Sequence, residues 1–163
     1  MPVYGVSSFD FELAPPVTAG GAIFARTADH VSEAVVPKKP VISIVDDDPS
    51  VREGTMDLLV SLGFVAETFP CADDFLQSER LHNTSCLIAD VELPGMSGIE
   101  LFDHLVGSGN ALPTILITAF PDERDQVHAM RAGVSCYLAK PFNETTLLAC
   151  IRAALGYRRQ DAN

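Results

Sequence analysis

Several short apolar runs in this 163-residue chain end in side chains that can bind a cation or carry a charged group. An acidic triplet beginning at Asp46 follows the first run, Asp90 and Thr118 follow two later runs, and Lys140 lies just beyond the last. Carboxylate oxygens are ligands that suit Mg²⁺. A carboxylate is also ionised near neutral pH, so it can attack phosphorus without a general base. If these residues meet, they form a cation site with a nucleophilic carboxylate.

The apolar runs are typical of strands buried on both faces of a parallel sheet, because they are short and rich in β-branched residues. Strands are predicted over residues 41–45, 64–68, 86–89, 114–117 and 134–138. Helices are predicted between Asp48 and Gly63 and over residues 72–77, 97–106, 123–131 and 143–155. Five alternations of strand and helix predict an α/β fold, a doubly wound parallel sheet with helices on both faces.

This arrangement brings the polar groups to one place. Ligands of open parallel sheets bind beyond the carboxyl ends of the strands, where Asp46, Asp90 and Thr118 are all predicted to lie. A divalent cation and Lys140 would together neutralise the carboxylates of Asp46, Asp47 and Asp90. A phosphoryl group could then join Asp90 without a large electrostatic penalty. Thr118 is expected to donate its hydroxyl to a phosphoryl oxygen.

The first predicted helix has sequence signals at both ends. Asp48 is a favourable N-cap, Pro49 suits the first helical position and Gly63 ends the helix. Gly54 lies in the interior, where glycine costs about 1 kcal/mol relative to alanine. The sequence offers no reason for this glycine.

Composition restricts the partners of the chain. The formal net charge is −11, which repels nucleic-acid phosphates and anionic membranes. No run approaches the roughly 18 apolar residues of a membrane span, and the N-terminus lacks the basic start of a secretory signal. The four cysteines lack metal-ligand spacing and are expected to be small hydrophobic residues in a reducing compartment. We therefore expect a cytoplasmic protein that contacts neither nucleic acid nor membrane through this chain.

Residues 1–39 are interpreted as an irregular N-terminal extension and linker, because proline and glycine pairs interrupt any long element there. The folded domain is predicted over residues 40–156, with a C-terminal tail over residues 157–163. The tail contains no helix-turn-helix pattern and no output enzyme, so a stand-alone domain is expected.

Four blocks of the sequence, VISIVDDDPSVRE, CLIADVELPGMSGIEL, TILITAF and CYLAKPF, resemble the receiver domains of bacterial response regulators. Their amino-acid sequences most resemble those of the nitrogen-fixation and nitrate regulator branch of this family. The resemblance covers residues 40–156 and implies a flavodoxin-like (βα)5 fold with strand order 2-1-3-4-5. It also implies a phosphoacceptor signalling switch of a two-component phosphorelay. The donor would be a sensor histidine kinase or a histidine phosphotransfer protein.

The resemblance assigns the chemistry to particular positions. Asp90 corresponds to the phosphoacceptor, Lys140 to the lysine that pairs with the phosphate, and Thr118 to the switch hydroxyl. Tyr137 corresponds to the aromatic side chain that rotates on phosphorylation, and the alternative is an ordinary tyrosine at the edge of the core. The bond between Lys140 and Pro141 corresponds to one that is cis in the family.

The same resemblance implies a site for Mg²⁺ (or Mn²⁺). Asp47 corresponds to the direct metal ligand and Asp46 to a neighbour that often acts through water, while Asp90 and the backbone carbonyl of Glu92 complete the site. Glu92 and Phe120 occupy positions that tune the lifetime of the phosphoryl group. An anionic Glu92 is expected to slow phosphorylation or to strengthen cation binding, unless it points into solvent. The ring of Phe120 is expected to shield the acyl phosphate from water.

The implied output is a protein contact through the face made by the fourth helix, fifth strand and fifth helix. Phosphorylation-dependent dimerisation through this face is a further implication. The chain is expected to catalyse only its own phosphorylation and dephosphorylation, so it is not an enzyme acting on a separate substrate. The alternative is the receiver half of a DNA-binding transcriptional regulator whose output domain is absent from this chain.

Three other classes fit the residues less well. A Mg²⁺-dependent phosphatase with an aspartyl nucleophile would use the spacing of Asp46 and Asp48 but would leave Asp90 unexplained. A flavin-binding flavodoxin would need a loop rich in serine, threonine and glycine after the first strand. A receiver that no longer takes phosphate would lack key positions that are filled here.

Overall fold

A computed structural model describes residues 38–157 and shows a five-stranded parallel sheet in the order β2-β1-β3-β4-β5. The strands are β1 Val41–Val45, β2 Val65–Phe69, β3 Cys86–Asp90, β4 Thr114–Thr118 and β5 Cys136–Ala139. The helices are α1 Pro49–Ser61, α2 Ala72–Gln77, α3 Gly98–Gly107, α4 Glu123–Ala132 and α5 Glu144–Ala154. The predicted flavodoxin-like fold and strand order are therefore confirmed. Most of the predicted N-terminal extension and nearly all of the tail lie outside the described residues.

Two strands begin later than predicted, and one short helix was not predicted. Strand β2 begins one residue later than predicted, because the amide of Phe64 donates to the carbonyl of Leu59 and closes the end of α1. Strand β5 begins at Cys136, because the amide of Val134 donates to the carbonyl of Ala129 at the end of α4. A short 3₁₀ helix over Glu79–Asn83 was not predicted.

Two hydrophobic clusters fill the two faces of the sheet. The strands alternate between them, so that Leu87 and Ala89 face one cluster while Cys86 and Ile88 face the other. Helices α2, α3 and α4 cover the first cluster, and α1 and α5 cover the second. Because apolar side chains are needed on both faces, β3 and β4 are apolar along most of their length, and Asp90 and Thr118 lie at their carboxyl ends.

Side-chain caps begin four of the five helices that follow the carboxyl ends of the strands, the exception being α2. Asp48 accepts from the amides of Ser50 and Val51 at the start of α1, as predicted. The same role falls to Ser97 for α3, Asp122 for α4 and Asn143 for α5. Each cap satisfies amides that lack partners within the first helical turn, which fixes where each helix starts relative to the strand before it.

Gly54 lies exposed on α1, and a Cβ added there would have no neighbouring atom within 4 Å. Gly54→Ala is expected to raise the free energy of unfolding by about 0.5–1 kcal/mol, because alanine loses less backbone entropy in a helix. Urea unfolding followed by far-ultraviolet circular dichroism measures the change.

Gly98 provides the contrasting variant for this test. A Cβ at Gly98 would lie 2.3 Å from the backbone oxygen of Asp90, because the first turn of α3 packs directly against the end of β3. Gly98→Ala should therefore destabilise the domain. If Gly54→Ala also lowered the unfolding midpoint, backbone entropy would not be the controlling factor at position 54.

The cysteines are free thiols, and two of them are core residues as predicted. Cys86 and Cys150 are buried, whereas Cys71 and Cys136 are partly exposed. Burial raises the pKa of Cys86 and of Cys150 to about 12, so both stay protonated at neutral pH. Within residues 38–157, no helix combines the length and the apolar character that a membrane crossing requires.

Candidate functional site

Lys140 stands between two buried carboxylates at the carboxyl edge of the sheet. Its Nζ lies 3.0 Å from Oδ2 of Asp46 and 2.6 Å from Oδ2 of Asp90. Strands β1 and β3 are neighbours: Asp46 directly follows β1, Asp90 is the last residue of β3, and Lys140 follows β5. The backbone amide of Lys140 donates to the carbonyl of Thr118 at 2.7 Å, and its peptide bond to Pro141 is cis, as the family resemblance implied. One ammonium group thus forms ion pairs with two carboxylates at the ends of neighbouring strands.

Both aspartates are further held by backbone amides. Oδ1 of Asp46 accepts from the amide of Asp48 at 2.9 Å, and Oδ1 of Asp90 accepts from the amide of Glu92 at 2.9 Å. The side chain of Asp46 is fully buried and that of Asp90 is 7% exposed. These contacts fix both carboxylates in position without neutralising all of their charge.

The pKa values of this site reflect above all the burial of its charged groups. Burial raises the pKa of Asp46 above its ordinary value, although bonds from Asp48 and Lys140 oppose the change. Burial also raises the pKa of Asp90, and the nearby carboxyl of Glu92 raises it further against the pull of Lys140. Burial lowers the pKa of Lys140, but its bonds to the two aspartates outweigh this, so the net shift is upward. The site would accept additional positive charge.

Three carboxylates are close enough to share one cation. Oxygen atoms of Asp46, Asp47 and Asp90 all lie within 4.8 Å of one another, and Asp47 is exposed to solvent while the other two are buried. An all-oxygen set with one face open to water fits a hard divalent ion such as Mg²⁺, which keeps several of its waters. The structure therefore brings together the predicted carboxylate ligands.

The hydroxyl of Thr118 has two partners in the structure. Its Oγ1 donates to Oε1 of Glu92 and accepts from the amide of Phe120 at 2.9 Å. Thr118 lies one residue beyond the register pair of Asp90 and Ile117, which places it beside the acidic cluster. The alternative that Glu92 simply points into solvent is wrong for its carboxylate, even though the residue as a whole is exposed.

The two aromatic positions differ in their surroundings. Tyr137 packs against the cluster under α2, α3 and α4, and burial raises its pKa. Its hydroxyl is buried and has no hydrogen-bond partner among the described residues. The side chain of Phe120 is 75% exposed to solvent. The predicted rotation of Tyr137 and the predicted shielding by Phe120 stay predictions.

Sequence reasoning missed one residue of this site. Nη1 of Arg52, on α1, donates to the backbone carbonyl of Asp46 at 2.6 Å and ties the helix to the acidic loop. The signal was present in the block VDDDPSVRE, because the first two turns of a helix that follows an acidic loop lie near that loop.

The fold and the site together define a doubly wound α/β domain with a carboxylate–lysine centre at the carboxyl ends of its strands. A family model described as the response regulator receiver domain matches residues 42–152. That range is more than half of the chain, and the chain belongs to the response regulator receiver family.

Relatives and solved structures agree with this assignment. The response regulator protein TodT of Pseudomonas putida is 40% identical over 126 residues, covering 77% of this chain and 54% of TodT. The transcriptional regulatory protein FixJ of Azorhizobium caulinodans is 34% identical over 121 residues, covering 74% of this chain and 57% of FixJ. This chain spans little more than half the length of these relatives.

Among solved structures, the response regulator StyR is 46% identical with a TM-score of 0.68, covering 73% of this chain and 60% of StyR. The crystal structure of FixJ-N is 30% identical with a TM-score of 0.66, covering 74% of this chain and 97% of the FixJ-N chain.

Proposed function

We propose that this domain is a phosphoacceptor switch in which Asp90 takes a phosphoryl group with the help of a bound divalent cation. The proposal rests on the pair of bonds from Lys140 to Asp46 and Asp90, which are two of the three clustered carboxylates. This arrangement supplies a held nucleophile, a fixed ammonium group and a place for one cation. All of them lie at the edge of the sheet where such folds bind ligands.

Asp46, Asp47, Asp90 and the backbone carbonyl of Glu92 would hold Mg²⁺ or Mn²⁺. When bound, the cation supplies positive charge to the phosphoryl oxygens. A carboxylate oxygen of Asp90 forms a bond to phosphorus while the bond from phosphorus to a histidine nitrogen of the donor breaks, and the histidine leaves with the electron pair. Lys140 holds Asp90 in line and pairs with the charge that arrives. The donor is a sensor histidine kinase or a histidine phosphotransfer protein.

The proposed output begins at Thr118 and reaches the surface through Tyr137. Thr118 contacts a phosphoryl oxygen, Tyr137 adjusts its packing, and the face made by α4, β5 and α5 changes for a protein partner. Exposed apolar side chains on α4 support this route, since Val127 and Met130 are both more than 40% exposed. Phosphorylation-dependent dimerisation through the same face belongs to this proposal. So do a cytoplasmic location and a domain that acts only on its own phosphoryl group.

A second candidate function follows from the length of the relatives. FixJ is named as a transcriptional regulatory protein, and this chain covers 57% of it. The domain would then be the receiver half of a DNA-binding regulator. Sequencing the complete reading frame and its flanks distinguishes this candidate from a stand-alone switch.

The proposal predicts a gain of one phosphoryl mass on incubation with acetyl phosphate and Mg²⁺, measured on the intact chain. The gain should disappear with EDTA and in Asp90→Asn, because the first removes the cation and the second the nucleophile. Asp48→Asn is the matched control, since asparagine caps a helix as well as aspartate does and Asp48 is outside the three-carboxylate cluster. A mass gain that persisted in Asp90→Asn would place the acceptor elsewhere and contradict the proposal.

A further inference from the structure

The hydroxyl hydrogen of Thr118 is already engaged by a carboxylate of the chain itself. Thr118 Oγ1 donates to Oε1 of Glu92, and the same oxygen accepts from the amide of Phe120 at 2.9 Å. A hydroxyl has a single hydrogen to donate, so Thr118 cannot bind a phosphoryl oxygen while the bond to Glu92 persists. Thr118 is fully buried, which leaves its hydroxyl few alternative partners in solvent.

The position of Glu92 makes this contact specific to the acidic site. Its backbone amide donates to Oδ1 of Asp90 at 2.9 Å, which anchors the start of the Glu92 side chain beside the acceptor carboxylate. Its carboxyl group also lies near that of Asp90 and raises the pKa of Asp90, after the larger effect of burial. Glu92 therefore contacts Asp90 through its backbone amide and Thr118 through its carboxylate, and a phosphoryl group on Asp90 would need the same hydroxyl.

We propose that Glu92 is an internal carboxylate ligand of Thr118, which an incoming phosphoryl oxygen must displace before the switch can respond. The inference rests on the proposed phosphoacceptor function and adds a positioning residue to it. In the unphosphorylated chain, Glu92 holds the Thr118 hydroxyl toward the acidic site. Phosphorylation exchanges one anionic acceptor for another, and the cost of that exchange slows the arrival of the phosphoryl group.

Glu92 also carries a negative charge close to the site, and simple repulsion would slow phosphorylation as well. The two effects differ in their dependence on Thr118. Repulsion acts whether or not the hydroxyl is present, whereas displacement needs the hydroxyl. A double-mutant cycle between Glu92 and Thr118 separates the two effects.

The first experiment measures the rate constant of phosphorylation by acetyl phosphate at saturating Mg²⁺, by intact mass on the full chain. Glu92→Ala is expected to speed the reaction by about tenfold, because a charge-assisted hydrogen bond no longer has to be broken. In the Thr118→Val background the same change should give a clearly smaller acceleration, and Glu92→Gln should fall between parent and Glu92→Ala. Equal accelerations in both backgrounds would overturn the displacement and leave charge repulsion alone.

A second measurement needs no phosphate and covers the case in which Thr118→Val takes up none. The amide of Phe120 donates to Thr118 Oγ1, so its nitrogen-15 resonance reports the position of that hydroxyl. Glu92→Ala is expected to shift this resonance in the unphosphorylated chain. The amide of Thr146, which donates to the Asn143 cap on α5, is the unaffected reference. An unchanged Phe120 resonance would overturn the inference.

The two failures can be told apart. If the parent chain gains no phosphoryl mass from acetyl phosphate or a phosphohistidine donor, the proposed function fails. If the parent is phosphorylated on Asp90 but the Phe120 resonance and the double-mutant cycle show no coupling, only the role of Glu92 fails.

Discussion

Lys140→Met is expected to lower the free energy of unfolding by about 3–5 kcal/mol when divalent cations are absent, the usual cost of removing one partner from a buried ion pair. Nζ of Lys140 lies 3.0 Å from Asp46 and 2.6 Å from Asp90, and both carboxylates are almost excluded from water. Without the ammonium group, two buried carboxylates face one another with no opposing charge. Urea unfolding in the presence of EDTA measures the loss.

Lys39→Met is the matched control, because Lys39 is exposed and its removal should change stability little. Added Mg²⁺ should reduce the difference in the free energy of unfolding between Lys140→Met and the parent, since a bound cation restores positive charge to the cluster. The pKa of Lys140 is raised, so its contribution is complete below about pH 10.5 and is lost only as the pH rises beyond that value. A Lys140→Met protein as stable as the parent in EDTA would show that the bridge contributes nothing to the fold.

Asp90→Asn is expected to stabilise the domain by about 1–3 kcal/mol at neutral pH without divalent cations. Burial raises the pKa of Asp90, so the fold favours its neutral form, and asparagine is a neutral side chain of the same shape. Lys140 keeps Asp46 as its partner in the variant. Urea unfolding of parent and variant across a pH series measures the difference.

The sign of the pH dependence follows from the direction of the shift. A carboxyl whose pKa is higher in the folded chain than in the unfolded chain binds its proton more tightly when folded. The parent therefore loses stability at this site as the pH rises from about 4 through the folded-state pKa of Asp90. The advantage of Asp90→Asn should be complete above that pKa and should vanish as the pH falls below the unfolded value.

Magnesium provides an independent check on the same variant. A ligand that binds only the folded chain stabilises it by an amount that grows with its concentration. Mg²⁺ should raise the unfolding midpoint of the parent more than that of Asp90→Asn, which has lost one of the three clustered carboxylates. If Asp90→Asn raised the free energy of unfolding by the same amount at all pH values, the charge of Asp90 would not be the cause of the gain.

The positions of the main site residues could be predicted because each depends on a local rule. Apolar runs buried on two faces define the strands, and parallel strands bring their carboxyl ends to one edge, which places Asp46, Asp90 and Thr118 together. The cap Asp48 could be predicted for the same reason, since capping depends on the few residues beside the cap.

The contact between Glu92 and Thr118 could not be predicted, because it joins side chains 26 residues apart through the rotamer of a long, exposed glutamate. The sequence offered two roles for Glu92 and an orientation into solvent, and nothing local distinguishes between them. The exposure of Phe120 could not be predicted either, since the direction of its ring depends on how the loop after β4 leaves the sheet.

Helix α4 buries very little of its surface against the rest of the domain. Of its ten residues only Ala129 is buried, and alanine offers a single methyl group to the core. With so little surface buried, we expect this helix to shift at a low cost in packing. Because Thr118 ends β4 and this helix begins at Glu123, we expect the hydrogen-bond exchange proposed at Thr118 to act on a whole surface element through the short loop between them.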